Sequence, residues 1–440
     1  MSEVYSTLSD PDSAYETYRR RAGGACSIIV LIDYRLFMAL LTFAEAKARL
    51  LAAARPVTEI EQIDLADAFG RVLAEHLISP MTVPPFANAA MDGYAMRSAD
   101  AAVAGVRLPV SQRIAAGDVA QALAPGSAAR IFTGAQIPDG ADAVAMQEDC
   151  QADSDFVIVN RPPHVGQHVR LKGSALTAGK PILVAGSYFS AAAMGLVASV
   201  GIARVGVFRR LKVAIFFTGS ELTMPGEALP PGHIYNSNRY VMRGFLQGLG
   251  IEVIDLGIVP DDRLATREAL RRAVAEADII VTSGGMSVGD EDHVTAAVKA
   301  EGHIDVWKIA AKPGKPLAFG GVTVGNREAA FVGLPGNPVA VWSSLLTLAV
   351  PFLRRCQGLT RIEPEPLILR ADFNYTVKGN RVEFVRVWRN ENGGLDVYPT
   401  QDSAVISSAV WADGVAPIAA GASVRPGDQV TFLPGPGWNP

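Results

Sequence analysis

Three stretches of this 440-residue chain combine glycine, proline and lysine in patterns suited to an oxyanion. The first is Thr282-Ser-Gly-Gly-Met-Ser-Val-Gly-Asp290, which follows an apolar strand-like run and precedes helical periodicity. In it Ser283, Gly284, Gly285 and Ser287 offer hydroxyls and closely approachable backbone N–H groups, and a helix start adds favourable partial charge. The same composition also makes an ordinary turn, so the loop alone leaves both readings open. The second is Gly333-Leu-Pro-Gly-Asn-Pro338, containing Pro335, Gly336, Asn337 and Pro338. Asn337 suits an N-cap and Pro338 the first helical position. That is a rigidly started helix or, if it folds beside the first loop, one wall of an anion site. The third, Trp307-Lys-Ile-Ala-Ala-Lys-Pro-Gly-Lys-Pro316, carries Lys308, Lys312 and Lys315, with two prolines to stiffen it. Such a segment suits a phosphorylated ligand, although surface lysines commonly only solubilise.

Asp92, Glu221, Asp261 and Asp292 are the acidic candidates. Carboxylates beside phosphates usually hold Mg²⁺, which bridges the two negative charges. Each has a plainer role: Asp261 or Asp262 as a helix cap, Asp92 in an Asp-Gly turn. Six histidines without close ligand spacing predict no protein-caged transition metal.

The elements that must position these groups can be read from hydrophobic period. Residues 42–54 predict an amphipathic helix with Phe43, Ala46, Leu50 and Ala53 on one face, and helical character is expected across 38–80. Short strands are expected at 106–110, 128–133 and 156–160, within a small β module. Helical character returns over 187–201, followed by a basic stretch, 204–212, that reads as a solvated linker. From 211 to 355 strands (213–217, 253–258, 278–282) alternate with helices (236–249, 264–277), which implies a parallel sheet with helices on both faces. Such sheets bind ligands beyond the carboxyl ends of their strands, here the loops after 217, 258, 282 and 333. Residues 360–440 read as a small closed β domain.

Composition sets the outer limits. Hydrophobic residues at 49% and charged residues at 19% describe a globular chain, long enough for two to four domains. A net charge of −4 argues against nucleic acid or an anionic membrane as partner. Cys26, Cys150 and Cys356, an odd number widely spaced, fit a reducing, cytoplasmic compartment and no disulfide framework. Basic residues 19–21 lead a short apolar run, but Asp33 and Arg35 interrupt it, so residues 1–37 read as an extension, disordered or not native, rather than an export signal.

Taken together, the strings resemble the molybdopterin molybdenumtransferase family, MoeA and the gephyrin E domain. The resemblance runs from about residue 42 to the C-terminus and adds Pro85-Phe-Ala-Asn-Ala-Ala-Met-Asp-Gly-Tyr-Ala95 and Arg130-Ile-Phe-Thr-Gly134 to the loops above. It implies an elongated homodimer with four domains: a helical linker domain (38–85 plus 171–207), an inserted β domain (86–170), a doubly wound α/β domain (208–358) and a C-terminal β-barrel (359–440). It also implies a reaction in which adenylylated molybdopterin and molybdate give molybdenum cofactor and AMP, with Mg²⁺ required. The pterin adenylyltransferase and apo-molybdoenzymes or their chaperones are the implied partners. By matching motif, Asp92 and Thr133 would come from one subunit's β domain. Glu221, Asp261, Asp292, Lys308, Lys312, Pro335 and Pro338 would line the α/β domain, and Arg386 and Ser403 would flank a molybdate pocket.

The chain departs from the family where Gly173-Ser174-Ala175 replaces Gly-Glu-Asp and Thr218-Gly219-Ser220-Glu221 replaces Thr-Gly-Asp-Glu. Losing these carboxylates should ease approach of an anion and weaken Mg²⁺ binding, giving a slower or more Mg²⁺-demanding enzyme. Two other readings stay open: pterin adenylylation, which would need ATP, and a non-catalytic paralogue that binds cofactor intermediates.

Overall fold

A computed structural model describes residues 40–285 and 293–435. The expectation for residues 1–37 lies outside the described residues. Two compact units emerge, one formed by Thr58–Arg209 and the other by the chain on either side of it.

The first helix of the larger unit, Phe43–Ala52, starts with a capping box: Thr42 Oγ1 accepts from Glu45 N–H, and the Glu45 carboxylate accepts from Thr42 N–H. Ala46 and Leu50 are buried and Phe43 packs on Phe384, but Ala53 is the exposed C-cap and not part of the apolar face. Helix does not continue to residue 80. Residues Ile60–Asp64 form a strand antiparallel to Arg204–Phe208, so much of the expected basic linker is also strand. Each strand's partner lies some 140 positions away, which local periodicity cannot register.

The larger unit is organised by a six-stranded sheet. Its strands are β1 (Lys212–Thr218), β2 (Glu252–Val259), β3 (Ile279–Ser283), β4 (Gly302–Lys308), β5 (Pro316–Val324) and β6 (Arg327–Leu334), in spatial order β2-β1-β3-β6-β5-β4. The first four are parallel, while β5 is antiparallel to both its neighbours. The sheet is therefore mixed and not wholly parallel: Gly325-Asn326 makes a tight hairpin between β5 and β6.

Helices cover both faces. Val213, Ile215 and Phe217 face α1 (Asn238–Gly248) and α4 (Pro338–Cys356), while Ala214 and Phe216 face α2 (Arg263–Glu276) and α3 (His293–Glu301). A strand buried on both sides must be apolar along its buried run, as β1 is from Val213 to Phe217. Among the described residues α4 alone, with 19 residues, has the length and apolarity to cross a bilayer, and most of it is buried in this core.

A second six-stranded sheet in the same unit holds Leu367–Ala371, Val382–Arg389, Gly394–Val397, Gly414–Ile418 and Gln429–Pro434, joined at its edge by Ala311–Lys312. The pairing of Val382–Arg389 with Gly414–Ile418 closes the five longer strands into a ring around Val385, Leu395, Ala416 and Phe432. This is the expected C-terminal barrel.

The smaller unit has a mixed sheet in the order 143–146, 93–96, 128–131, 106–114, 156–159, 150–153. A separate core gathers Leu73, Phe189, Val197, Val205 and Val207 about helix Ala191–Ala198.

Candidate active site

Four loops leave the carboxyl ends of adjacent parallel strands. Thr218, the last residue of β1, turns through Gly219, whose φ of +152° favours glycine. The Glu221 carboxylate folds back over that glycine, 2.7 Å from where a Cβ would stand. Gly284 and Gly285 follow β3 with φ of +90° and +63°, and a Cβ on Gly284 would meet the Thr218 carbonyl oxygen at 2.7 Å. Gly336, beyond β6, approaches Gly284 Cα to about 4.0 Å as measured from its own Cβ position. The two glycine loops therefore fold side by side, which raises the anion-site reading over that of separate turns.

Asn238, the first residue of α1, ties them together. Its Nδ2 donates to Ser283 Oγ (3.0 Å) and to the Gly336 carbonyl (2.7 Å). The sequence shows Asn238 only as one of several small polar residues at a helix start, so nothing singled it out. Among the described residues, Thr218 Oγ1, Asn236 Nδ2 and Asn238 Oδ1 are buried without hydrogen-bond partners.

Beside them lies a cavity of about 750 Å³, lined by Lys312 to Pro316, Pro335 to Asn337, Arg381 and Gln401 to Ser403. Asn337 stands at the N-cap of α4 with extended backbone, yet its side chain does not cap the helix. Instead Asn337 Nδ2 donates to Ser403 Oγ (3.1 Å), and Val339 N–H donates to the Ser403 carbonyl, which pins the barrel loop to the helix start. Pro338 fills the first turn as expected.

Three family descriptions match the chain in succession: MoeA N-terminal region (domain I and II) over residues 41–201, probable molybdopterin binding domain over 214–355, and MoeA C-terminal region (domain IV) over 369–434. A molybdopterin molybdenumtransferase from Haemophilus influenzae is 38% identical over 363 residues, 81% of this chain and 89% of its own length. The chain belongs to the MoeA-type molybdopterin molybdenumtransferase family. A second relative of that name, from a Nostoc species, is 38% identical over 335 residues, covering 74% of this chain and 76% of itself. The crystal structure of a molybdopterin biosynthesis MoeA protein from Pyrococcus horikoshii superposes with a TM-score of 0.76 at 28% identity, over 90% of this chain and all of that one.

Within this MoeA-type fold, Lys312, Lys315, Pro335, Gly336, Asn337 and Ser403 converge on the cavity. Lys308, at the end of β4, does not line it. Arg386 was expected to flank the pocket; the structure buries it to 1% exposure behind the loop that presents Gln401 to Ser403. Its guanidinium donates to Ser408 Oγ and to the Thr400 and Asp402 carbonyls, so it props that loop from within. Asp261 lies exposed just beyond β2, and the capping role falls to Asp262, which accepts from Leu264 and Ala265 N–H. Ser287 and Asp292 lie outside the described residues. Among the described residues no group of three His, Cys, Asp or Glu side chains is arranged to hold a metal ion. Val259 pairs with Thr218, so Asp261 and Glu221 follow the ends of neighbouring strands, and their carboxylate oxygens are of the hard type that Mg²⁺ takes as ligands.

In the smaller unit, Asp92 and Thr133 form their own pair. Thr133 N–H and Oγ1–H both donate to Asp92 Oδ1, at 2.8 and 2.7 Å. Those two bonds, with help from the nearby Arg130 guanidinium and against a small burial effect, hold the Asp92 carboxyl below the usual range. Gly173, Ser174 and Ala175 occupy a turn in that unit, with Ser174 and Ala175 exposed.

Proposed function

We propose that this chain inserts molybdate into adenylylated molybdopterin and releases AMP, completing molybdenum cofactor. The observation that carries the reading is the convergence of Lys312, Lys315 and the 335–337 loop with Ser403 on one cavity, beside two glycine loops at the carboxyl edge of a sheet. In this reading the Ser283–Gly285 backbone receives phosphate oxygens, and Lys315 attracts the molybdate dianion into the adjoining cavity. Pro335 and Pro338 hold the loop rigid, so that little ordering remains to be done on binding. Bound Mg²⁺, held through Glu221, Asp261 and Asp292, would neutralise phosphate charge as the phosphoanhydride to AMP is broken. Asp92, held in position by its two hydrogen bonds from Thr133, serves the same reaction, and the enzyme works as a homodimer in the cytoplasm.

A second reading, a paralogue that binds cofactor intermediates without turnover, draws its support from the carboxylates replaced by Ser174, Ala175 and Ser220. AMP release by purified protein supplied with adenylylated molybdopterin, molybdate and Mg²⁺ separates the two. Tight binding with no release would favour the paralogue.

A further inference from the structure

The hydrogen bonds of Asn238 fix which way its amide points. One of them runs to the Gly336 carbonyl at 2.7 Å. A carbonyl oxygen can only accept, so the group facing it is the NH₂ and not the amide oxygen. The same NH₂ donates to Ser283 Oγ at 3.0 Å. Gly336 thus anchors the amide, and the anchored amide decides what the serine can do.

Ser283 is 3% exposed at the end of β3, next to Gly284 and Gly285. A serine hydroxyl can donate or accept, and its hydrogen rotates to suit its neighbours. Here the oxygen accepts from Asn238, which turns the hydroxyl hydrogen away from the amide. Among the described residues that hydrogen has no acceptor. The hydroxyl is therefore set as a donor at the mouth of a loop whose glycines let backbone N–H groups come close to an oxyanion. A hydroxyl facing an oxyanion helps only in that state, because its oxygen would otherwise repel the ligand.

Asn238 is not occupied in starting α1. That task falls to Asn236, whose Oδ1 accepts from Arg239 N–H at 3.2 Å.

We propose that Asn238 is a positioning residue for the phosphate of the adenylylated pterin: anchored on the Gly336 carbonyl, it holds the Ser283 hydroxyl as a donor to a phosphate oxygen. The proposal rests on the molybdate-inserting reading and deepens it, with Asn238 acting through Ser283 and not on the substrate.

Calorimetric titration with adenylylated molybdopterin, molybdate being withheld so that no turnover follows, would compare the wild type with Asn238→Ala, Asn238→Asp, Ser283→Ala and the double variant Asn238→Ala/Ser283→Ala. Asn238→Ala should raise the Kd roughly threefold to tenfold, the loss of one oriented hydrogen bond. Asn238→Asp keeps the shape but takes the serine hydrogen for itself and sets a negative charge near the phosphate, so the rise should be larger, roughly tenfold to a hundredfold. In the Ser283→Ala background, Asn238→Ala should add less than about twofold, because the hydroxyl it acts through is gone. Its melting temperature should stay close to that of the wild type, since Asn236 still caps α1. An unchanged Kd in both single Asn238 variants would overturn the proposal. So would the same loss with and without the Ser283 hydroxyl, which is what a merely structural role would give. If circular dichroism shows that Asn238→Ala has unfolded, Asn238→Ser takes its place in the same cycle. A wild type that does not bind adenylylated molybdopterin at all would instead sink the underlying functional reading, a result distinct from binding that the variants leave unchanged.

Discussion

At the residue scale, the chemistry depends on which side chains are already spoken for. Asp92 receives two hydrogen bonds from Thr133, which hold its carboxyl below the usual range. A carboxyl depressed in the folded state lends stability above its unfolded pKa of about 3.9, and that stability is lost as pH falls through the lower folded value. Replacing Thr133 by Val removes the hydroxyl donor and leaves the N–H. The Asp92 carboxyl should then titrate higher, closer to its ordinary value, in a carbon-13 NMR titration; an unmoved midpoint would show that the hydroxyl bond carries nothing. Above about pH 5 both proteins keep Asp92 ionised, so any change in activity there must come from its position. Much at this scale was hidden from the sequence. The lysine and glycine strings were legible because their spacing is local. The partners of Lys312, Arg386 and Asn337 (Glu383, Ser408 and Ser403) lie tens of positions away, so these three read as binding or capping groups when they are partly or wholly engaged elsewhere.

At the element scale, the sheet edge works because adjacent loops pack closer than side chains would permit. Gly284 combines a φ of +90° with a Cβ position 2.7 Å from the Thr218 carbonyl oxygen. Gly284→Ala should lower the unfolding free energy by about 1–3 kcal/mol, through left-handed backbone strain and a contact that cannot be relieved by a side-chain rotation. Urea unfolding would measure it, and an unchanged midpoint and slope would mean the loop is free to shift. Strands β1 and β3 were legible because both faces are buried and their central runs, 213–217 and 279–281, are unbroken apolar residues. Ile60–Asp64 was not: none of its five residues is buried, and its identity comes from the distant Arg204–Phe208. The β5–β6 hairpin was missed for a different reason, since alternation of strand and helix elsewhere in the segment implied only parallel connections.

At the scale of the whole molecule, the net charge of −4 gives little electrostatic resistance to self-association. Leu229, Ile234, Tyr235 and Tyr240 expose apolar surface within one short segment of the larger unit. Sedimentation velocity at micromolar concentration should give twice the mass of one chain; a single-chain mass across that range would contradict the proposed homodimer. Family membership spans nearly all the described residues, so the whole chain and not only its α/β part is the object to assay.

The most direct measurement is AMP release from adenylylated molybdopterin by the purified full chain, with molybdate and Mg²⁺ each present or withheld. The account predicts release that requires both, reaching its maximum only at high Mg²⁺ because Ser174, Ala175 and Ser220 supply no carboxylate. Tight binding of the adenylylated pterin with no AMP release, whatever the molybdate and Mg²⁺ concentrations, would contradict it.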